Sequence, residues 1–213
     1  MTIMTITTIQ HLSSDQQAAI RSAVSKAESR TSGEIVPLLE TQSDDYREAA
    51  AQAAAIIAAA LALTLALIIQ DTSVWFFLPT AFVLYFPALA AVRRLPRLKL
   101  AFTPARRVSE TVHRRAVRAF YENGLQRTRD ENGILIFISL LERRVWILGD
   151  RGINAVIPPG HWTALATALS SGIRQGRLTE SLAAVIAEIG DVLQQHFPRR
   201  SDDINELPDL LEE

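Results

Sequence analysis

The sequence predicts an α/β domain with a short mixed sheet covered by helices on both faces, interrupted by a two-helix transmembrane hairpin. Three observations carry this. Two long uncharged apolar stretches, 49–69 and 74–92, stand close together in the first half of the chain. Apolar runs of strand length, GEIVPLLE and ILIFISLL, lie on either side of them. Amphipathic segments with helical spacing precede the first run and follow the second.

The hydrophobic share is 48% of 213 residues, and most of the excess falls between Ala49 and Val92. The first stretch, AAAQAAAIIAAALALTLALIIQ, is interrupted only by Gln52 and Thr64. About twenty such residues at 1.5 Å each cover a hydrocarbon core of about 30 Å. The second, VWFFLPTAFVLYFPALAAV, places Trp75 near one end, where an amphipathic ring settles at the headgroups. Pro79 and Pro87 do not exclude it, because prolines are tolerated in membrane helices. Gln70, Asp71, Thr72 and Ser73 leave room only for a tight turn. The alternative, a hairpin buried in a soluble core, is disfavoured because the remaining chain is too short to wrap both helices.

Arg93, Arg94, Arg97, Lys99, Arg106 and Arg107 follow the second stretch and Arg47 precedes the first, whereas the turn has no Lys or Arg. The positive-inside rule then puts both termini and the domain in the cytoplasm. Arg93, Arg94, Arg97 and Lys99 are expected beside anionic lipid headgroups.

Ser13 and Ser14, followed by Gln16 and Gln17, signal a helix start with Leu12 as staple, and a helix to about Arg30 buries Ile20, Val24 and Ala27. Thr31, Ser32 and Gly33 break it. The Ile35–Leu39 strand follows, near an edge or bulged because Pro37 lacks a ladder donor. Beyond the hairpin, Thr103 as N-cap and Pro104 in the first turn open a helix through Val108, Val112, Ala116, Ala119 and Phe120, ended by Asn123 and Gly124. Its outer face carries Arg107, Arg114, Arg115 and Arg118, either solvated or against lipid. The continuous apolar run from Ile134 predicts a strand covered on both faces. Glu142 and Arg143 turn it into a partner strand through Val145 and Leu148. Gly149, Asp150, Arg151 and Gly152 turn the chain again, and INAVI reads as a short edge strand. Two helices close the domain, the first ended by Gly176, the second capped by Thr179 and ended by Pro198. The domain thus comprises 12–45 and 103–198, followed by an acidic tail at 199–213. That tail is either a solvated segment or a short helix-forming partner motif, with leucines among its carboxylates. The start, MTIMTITTIQ, lacks a signal-peptide pattern and reads as unprocessed.

Lys plus Arg is 22 and Asp plus Glu is 23, a balance that gives no case for nucleic acid. The absence of cysteine excludes disulfides, thiolate metal sites and cysteine nucleophiles. No Walker loop or glycine-rich dinucleotide fingerprint is present, so no nucleotide cofactor is expected. His11, His113, His161 and His196 lack metal-ligand spacing, and Ser170 and Ser171 lack a nucleophile-elbow pattern. The best-placed carboxylates are Glu34 at the start of the first strand and Asp150 at the end of the strand hairpin, with Asp44 and Asp45 before the membrane. Oxygen ligands of this kind suit calcium or magnesium. Solvated loop acids and a turn aspartate beside Arg151 are the competing account.

Taken in order, Thr31-Ser32-Gly33-Glu34-Ile35-Val36, Gly133-Ile134-Leu135-Ile136-Phe137, Glu142-Arg143-Arg144-Val145 and Asp150-Arg151-Gly152-Ile153 resemble the TPM domain. The chain looks most like a proteobacterial branch in which transmembrane helices interrupt the domain, as does its closing Asn205-Glu206-Leu207-Pro208-Asp209. The resemblance implies a Rossmann-like α/β/α sandwich in the bacterial inner membrane, with an acidic cleft. It also implies divalent-metal binding and weak acid phosphatase activity in some relatives, and accessory roles in membrane complexes in others. Two functions follow: a non-enzymatic accessory or scaffold module with an unknown membrane protein partner, or a metal-dependent acid phosphatase using Glu34 and Asp150.

Overall fold

The computed structural model describes residues 12–199, 207 and 209–212. The start MTIMTITTIQ, His11 and, in the tail, Asp202, Asp203, Ile204, Asn205, Glu206, Pro208 and Glu213 lie outside them. The chain folds as two units, one from Met1–Ser43 with Thr111–Glu213, the other from Asp44–Glu110.

In the first unit a mixed sheet of three strands, extended by a two-residue fourth, runs in the order β3-β2-β1-β4. β1 (Glu34–Glu40) lies parallel to β2 (Gly133–Ser139), with Glu34 opposite Gly133 and Glu40 opposite Ser139. β3 (Arg144–Gly149) returns antiparallel to β2. Arg143 takes a left-handed φ of 51° in the tight connection that joins them. β1 and β2 are buried at every position, as a continuous apolar run requires when both faces are covered.

Alternation along the strands sorts the two faces. Ile35 and Leu39, with Ile134, Ile136, Ile138, Val145 and Ile147, enter one core with α1 (Ser14–Glu28), α7 (Pro159–Arg174) and α8 (Leu178–His196). Helix α1 opens with the expected capping box, in which the Ser13 side chain accepts from the Gln16 amide and Gln16 accepts from Ser13 N–H. Val36, Leu38, Leu135 and Phe137 turn to the opposite face. There the later part of α5 (Ala105–Glu122) lies, marked by the His113 ring 4.3 Å from that of Trp146 and by Arg115 on Glu40. The result is the α/β/α arrangement anticipated from the sequence.

Several local expectations are corrected. INAVI is no edge strand: Arg151–Val156 forms α6, whose N-cap Asp150 accepts from the Arg151 amide, and Ile153 and Ile157 enter the core four residues apart. The N-cap of α8 is Arg177 rather than Thr179. Helix α5 starts one residue later than expected, because the Pro104 carbonyl accepts the Val108 amide. The Thr103 hydroxyl donates to the Lys99 carbonyl instead of capping α5. The tail is neither wholly solvated nor helical where it is described. Leu210 joins the α1 core, and β4 (Leu211–Glu212) pairs with Leu38 and Leu39. This leaves β1 one short strand from the edge and Pro37 opposite no β4 residue, consistent with its missing donor.

In the second unit α2 (Arg47–Ile69) and α3 (Val74–Arg93) form an antiparallel hairpin, capped at its turn by Ser73, whose side chain accepts from the Phe76 amide. Both helices are long and apolar enough to cross a membrane. Alanines spaced four apart, Ala50, Ala54, Ala58, Ala62 and Ala66, form a buried stripe of α2, and Ala54 and Ala58 pack with Ala88 of α3. Small residues let the two backbones approach closely, which is how helices associate in lipid. The larger side chains point away: Trp75 is 89% exposed, Ile68 73% and Phe82 66%. A short helix absent from the sequence reading, α4 (Pro96–Ala101), follows and packs Leu98, with the adjoining Phe102, against Ala50, Ala53 and Val92.

Candidate functional site

In open α/β sheets ligands gather outside the carboxyl ends of parallel strands. At that end of β1 and β2 the chain has built a buried polar cluster. Glu40 and Ser139 are register partners, 4% and 0% exposed. The Arg115 guanidinium grips the Glu40 carboxylate with two nitrogens, at 2.5 and 3.0 Å. It reaches Glu122 at 2.7 Å, and Arg118 meets the same Glu122 at 2.7 Å. These two arginines, Arg118 first and Arg115 second, hold the Glu122 carboxyl below the usual glutamate range by hydrogen bonding to its charged form. Arg115 therefore does not belong to the outer face to which the sequence reading assigned it.

Beside this pair runs a second set of bonds. Ser43 Oγ and Ser139 Oγ lie 2.9 Å apart, Ser139 Oγ donates to Glu142, and the Ser43 amide donates to the other Glu142 oxygen at 3.0 Å. A serine hydroxyl on a carboxylate resembles a nucleophile and its base. Ser139, however, is fully buried, and the bonds close a ring between the end of β1 and the β2–β3 turn. The ring ties Ser43 to Ser139 and Glu142 within the sheet unit.

The other end of the sheet holds the two principal carboxylates of the sequence reading. Glu34 faces Gly133 across β1 and β2, and the Asp150 amide donates to the Gly133 carbonyl at 2.8 Å. Glu34, Gly133 and Asp150 thus form a row across three strand ends, with the outer two about 10 Å apart by strand spacing. Glu34 is 5% exposed. Asp150 spends Oδ1 on the α6 cap, while its Oδ2 is buried with no hydrogen-bond partner among the described residues. Gly133 and Gly152 are needed here, since a Cβ would stand 2.7 Å from the Leu125 carbonyl at the first and from the Asp130 carbonyl at the second. Asp44 and Asp45 belong to the other unit and serve local roles. Asp44 accepts from the Tyr46 amide, and Asp45 pairs with Arg47 at 3.1 Å.

Among the described residues no three His, Asp or Glu side chains gather as a metal-binding group. Two carboxylates fall short of the six or more oxygens that calcium or magnesium takes, so carbonyls and water would have to complete any site at Glu34 and Asp150.

Residues 89–192 match the family model of the TPM domain. That stretch, just under half of the chain, is similar to the TPM domain. Its fold is similar to the NMR structure of the BA42 protein from the psychrophilic bacterium Bizionia argentinensis, with a TM-score of 0.60 and 22% identity over 96% of this chain and 97% of that one. No curated protein matches the chain. The family match runs from the last turns of α3 to α8, taking in Arg115, Ser139, Glu142 and Asp150 but not Glu34 or Glu40. Of the cluster at the carboxyl end, sequence reasoning noticed Glu142 only as a turn residue and missed Glu40 and Ser139. The available signal was a glutamate on the same alternation as Val36 and Leu38.

Proposed function

We propose that this TPM-like protein is anchored in the bacterial inner membrane by α2 and α3, and acts there as a non-enzymatic accessory or scaffold module. The exposed apolar surface of the hairpin supports this most directly. Trp75, Ile68, Phe82, Val83 and Leu67 are each more than half exposed on neighbouring helices, and soluble monomers rarely expose contiguous apolar patches beyond a few hundred Å². The carboxylates at the ligand-binding end of the sheet are engaged in internal bonds, to Arg115 for Glu40 and to Ser43 and Ser139 for Glu142. That arrangement suits a rigid platform better than an acid–base pair.

The cysteine-free chain gives a clean labelling test. Ser73→Cys should react with an impermeant maleimide from outside intact spheroplasts, and Asp130→Cys only after lysis. Reaction of Asp130→Cys in intact cells reverses the orientation, and release of the wild type from membranes by alkaline carbonate removes the anchor.

A second reading is favoured by the buried Oδ2 of Asp150 and its row with Glu34: a divalent cation held at that end of the sheet, supporting weak phosphomonoester hydrolysis. Calcium or magnesium at millimolar concentration should then raise the Tm of the detergent-solubilised protein, and both Glu34→Ala and Asp150→Ala should abolish the shift. Metal-stimulated turnover lost in both variants would replace the accessory reading by the enzymatic one.

A further inference from the structure

The start of α2 and the end of α3 frame a pocket of about 390 Å³, lined by Asp45, Arg47, Ala50, Arg93 and Lys99. That volume falls within the range of about 300–1,000 Å³ common for small-molecule sites. Its lining holds three cations and one carboxylate, and Asp45 is already paired with Arg47. Among the described residues neither Arg93 nor Lys99 makes an ion pair.

Lys99 is the unusual member. It is 8% exposed, and its ammonium, which carries three donors, gives one to the Asp45 carbonyl at 3.1 Å. A buried cation with only a neutral partner is costly unless an anion completes it. The same place lacks a second kind of partner. The N-cap of α2, Tyr46, is left-handed and offers no side-chain cap; the Ala50 amide bonds the Tyr46 carbonyl at 2.9 Å, so the amides left without a side-chain cap are those before it in the first turn, which begins at the pocket residue Arg47. Uncapped amides and the positive end of the helix dipole both favour an anion.

We infer that this pocket binds the phosphate of an anionic phospholipid headgroup, with Lys99 and Arg93 as its charge partners and the α2 amides as further donors. The inference rests on the membrane-anchored reading. Arg47 opens α2 and Arg93 closes α3, so the pocket sits where the apolar helices meet the headgroup layer. The acyl chains can then lie along the exposed apolar face while the phosphate enters the pocket. Inorganic phosphate offers the same chemistry without that second anchor.

The test titrates the full chain in a neutral detergent with short-chain phosphatidylglycerol, with phosphatidylcholine of equal chain length, and with inorganic phosphate, reading Tm. Phosphatidylglycerol should stabilise the wild type saturably, and the other two should not at the same concentration. Lys99→Gln and Arg93→Gln should each weaken the apparent affinity at least fivefold, whereas Arg21→Gln, an exposed cation of α1 absent from the pocket lining, should match the wild type. Should Lys99→Gln fail to fold, Arg93→Gln decides, because Arg93 is exposed and makes no internal bond among the described residues. Unchanged affinity in Arg93→Gln, or equal stabilisation by phosphatidylcholine, overturns the proposal; an equal response to inorganic phosphate assigns the pocket to a free anion and overturns the lipid. Failure of the Ser73→Cys labelling instead overturns the anchoring, and that assay requires no anionic lipid.

Discussion

Replacing Arg115 by methionine should be among the most damaging single changes in the sheet unit. Glu40 is 4% exposed, and its carboxylate is held by two guanidinium nitrogens at 2.5 and 3.0 Å. Methionine keeps much of the apolar stem but removes the charge, leaving a buried carboxylate without that partner. Breaking such a pair from one side costs about 3–5 kcal/mol, because the remaining ion has lost its compensation but not its desolvation. Glu122 contributes little to the loss, since it is partly exposed and keeps Arg118 at 2.7 Å. In a unit of this size each kcal/mol lowers Tm by roughly 2–4 °C, so the expected fall is about 6–20 °C. The double variant Glu40→Leu with Arg115→Met should recover most of it, because a well-packed apolar pair is often as stable as the ion pair it replaces. Hydrogen exchange of the β1 and β2 amides in detergent reads the effect without interference from the apolar helices. A loss below about 1 kcal/mol in the single variant, or no recovery in the double, would refute the view that desolvation dominates at this cluster.

Three further outcomes can be checked on the same preparations. Glu122 has its carboxyl pKa lowered by Arg118 and then Arg115, so the stability it adds is fully present above the unfolded carboxyl pKa and is lost as pH falls through the lower folded value. Carboxyl titration by NMR should place Glu122 below an exposed glutamate, and Glu122→Gln should flatten the acid limb of the stability profile. At Gly190 a Cβ would meet the Ala27 Cβ at 2.8 Å and its Cα at 3.2 Å, forcing α1 and α8 apart. Gly190→Ala should therefore lower the urea midpoint, an overpacking cost of about 1–3 kcal/mol outweighing a propensity gain of about 1. Gly160→Ala meets nothing within 4 Å and should show no such loss.

The features that depend on the local chain alone were legible in the amino-acid order. The capping box at Ser13, the two apolar helices and the continuous burial of β2 each follow from patterns within one helix or strand, and all three stand. What the local pattern could not settle was any choice between two short-range options of similar free energy. INAVI is too brief to reveal its period, and it became helix because Asp150 caps it and because Ile153 and Ile157 reach the core only at helical spacing. Arg115 read as one more solvated arginine, until the sheet placed Glu40 beneath it and the cost of a buried carboxylate drew the guanidinium inward. Glu34 and Asp150 were named from their strand ends, yet only the register that sets both against Gly133 brings them to one edge. The sequence by itself determined the long helices and the two central strands, because hydrophobic period and capping act within a few residues. The tertiary structure alone decided which charges are buried and which meet, because desolvation and pairing depend on neighbours that lie far apart along the chain.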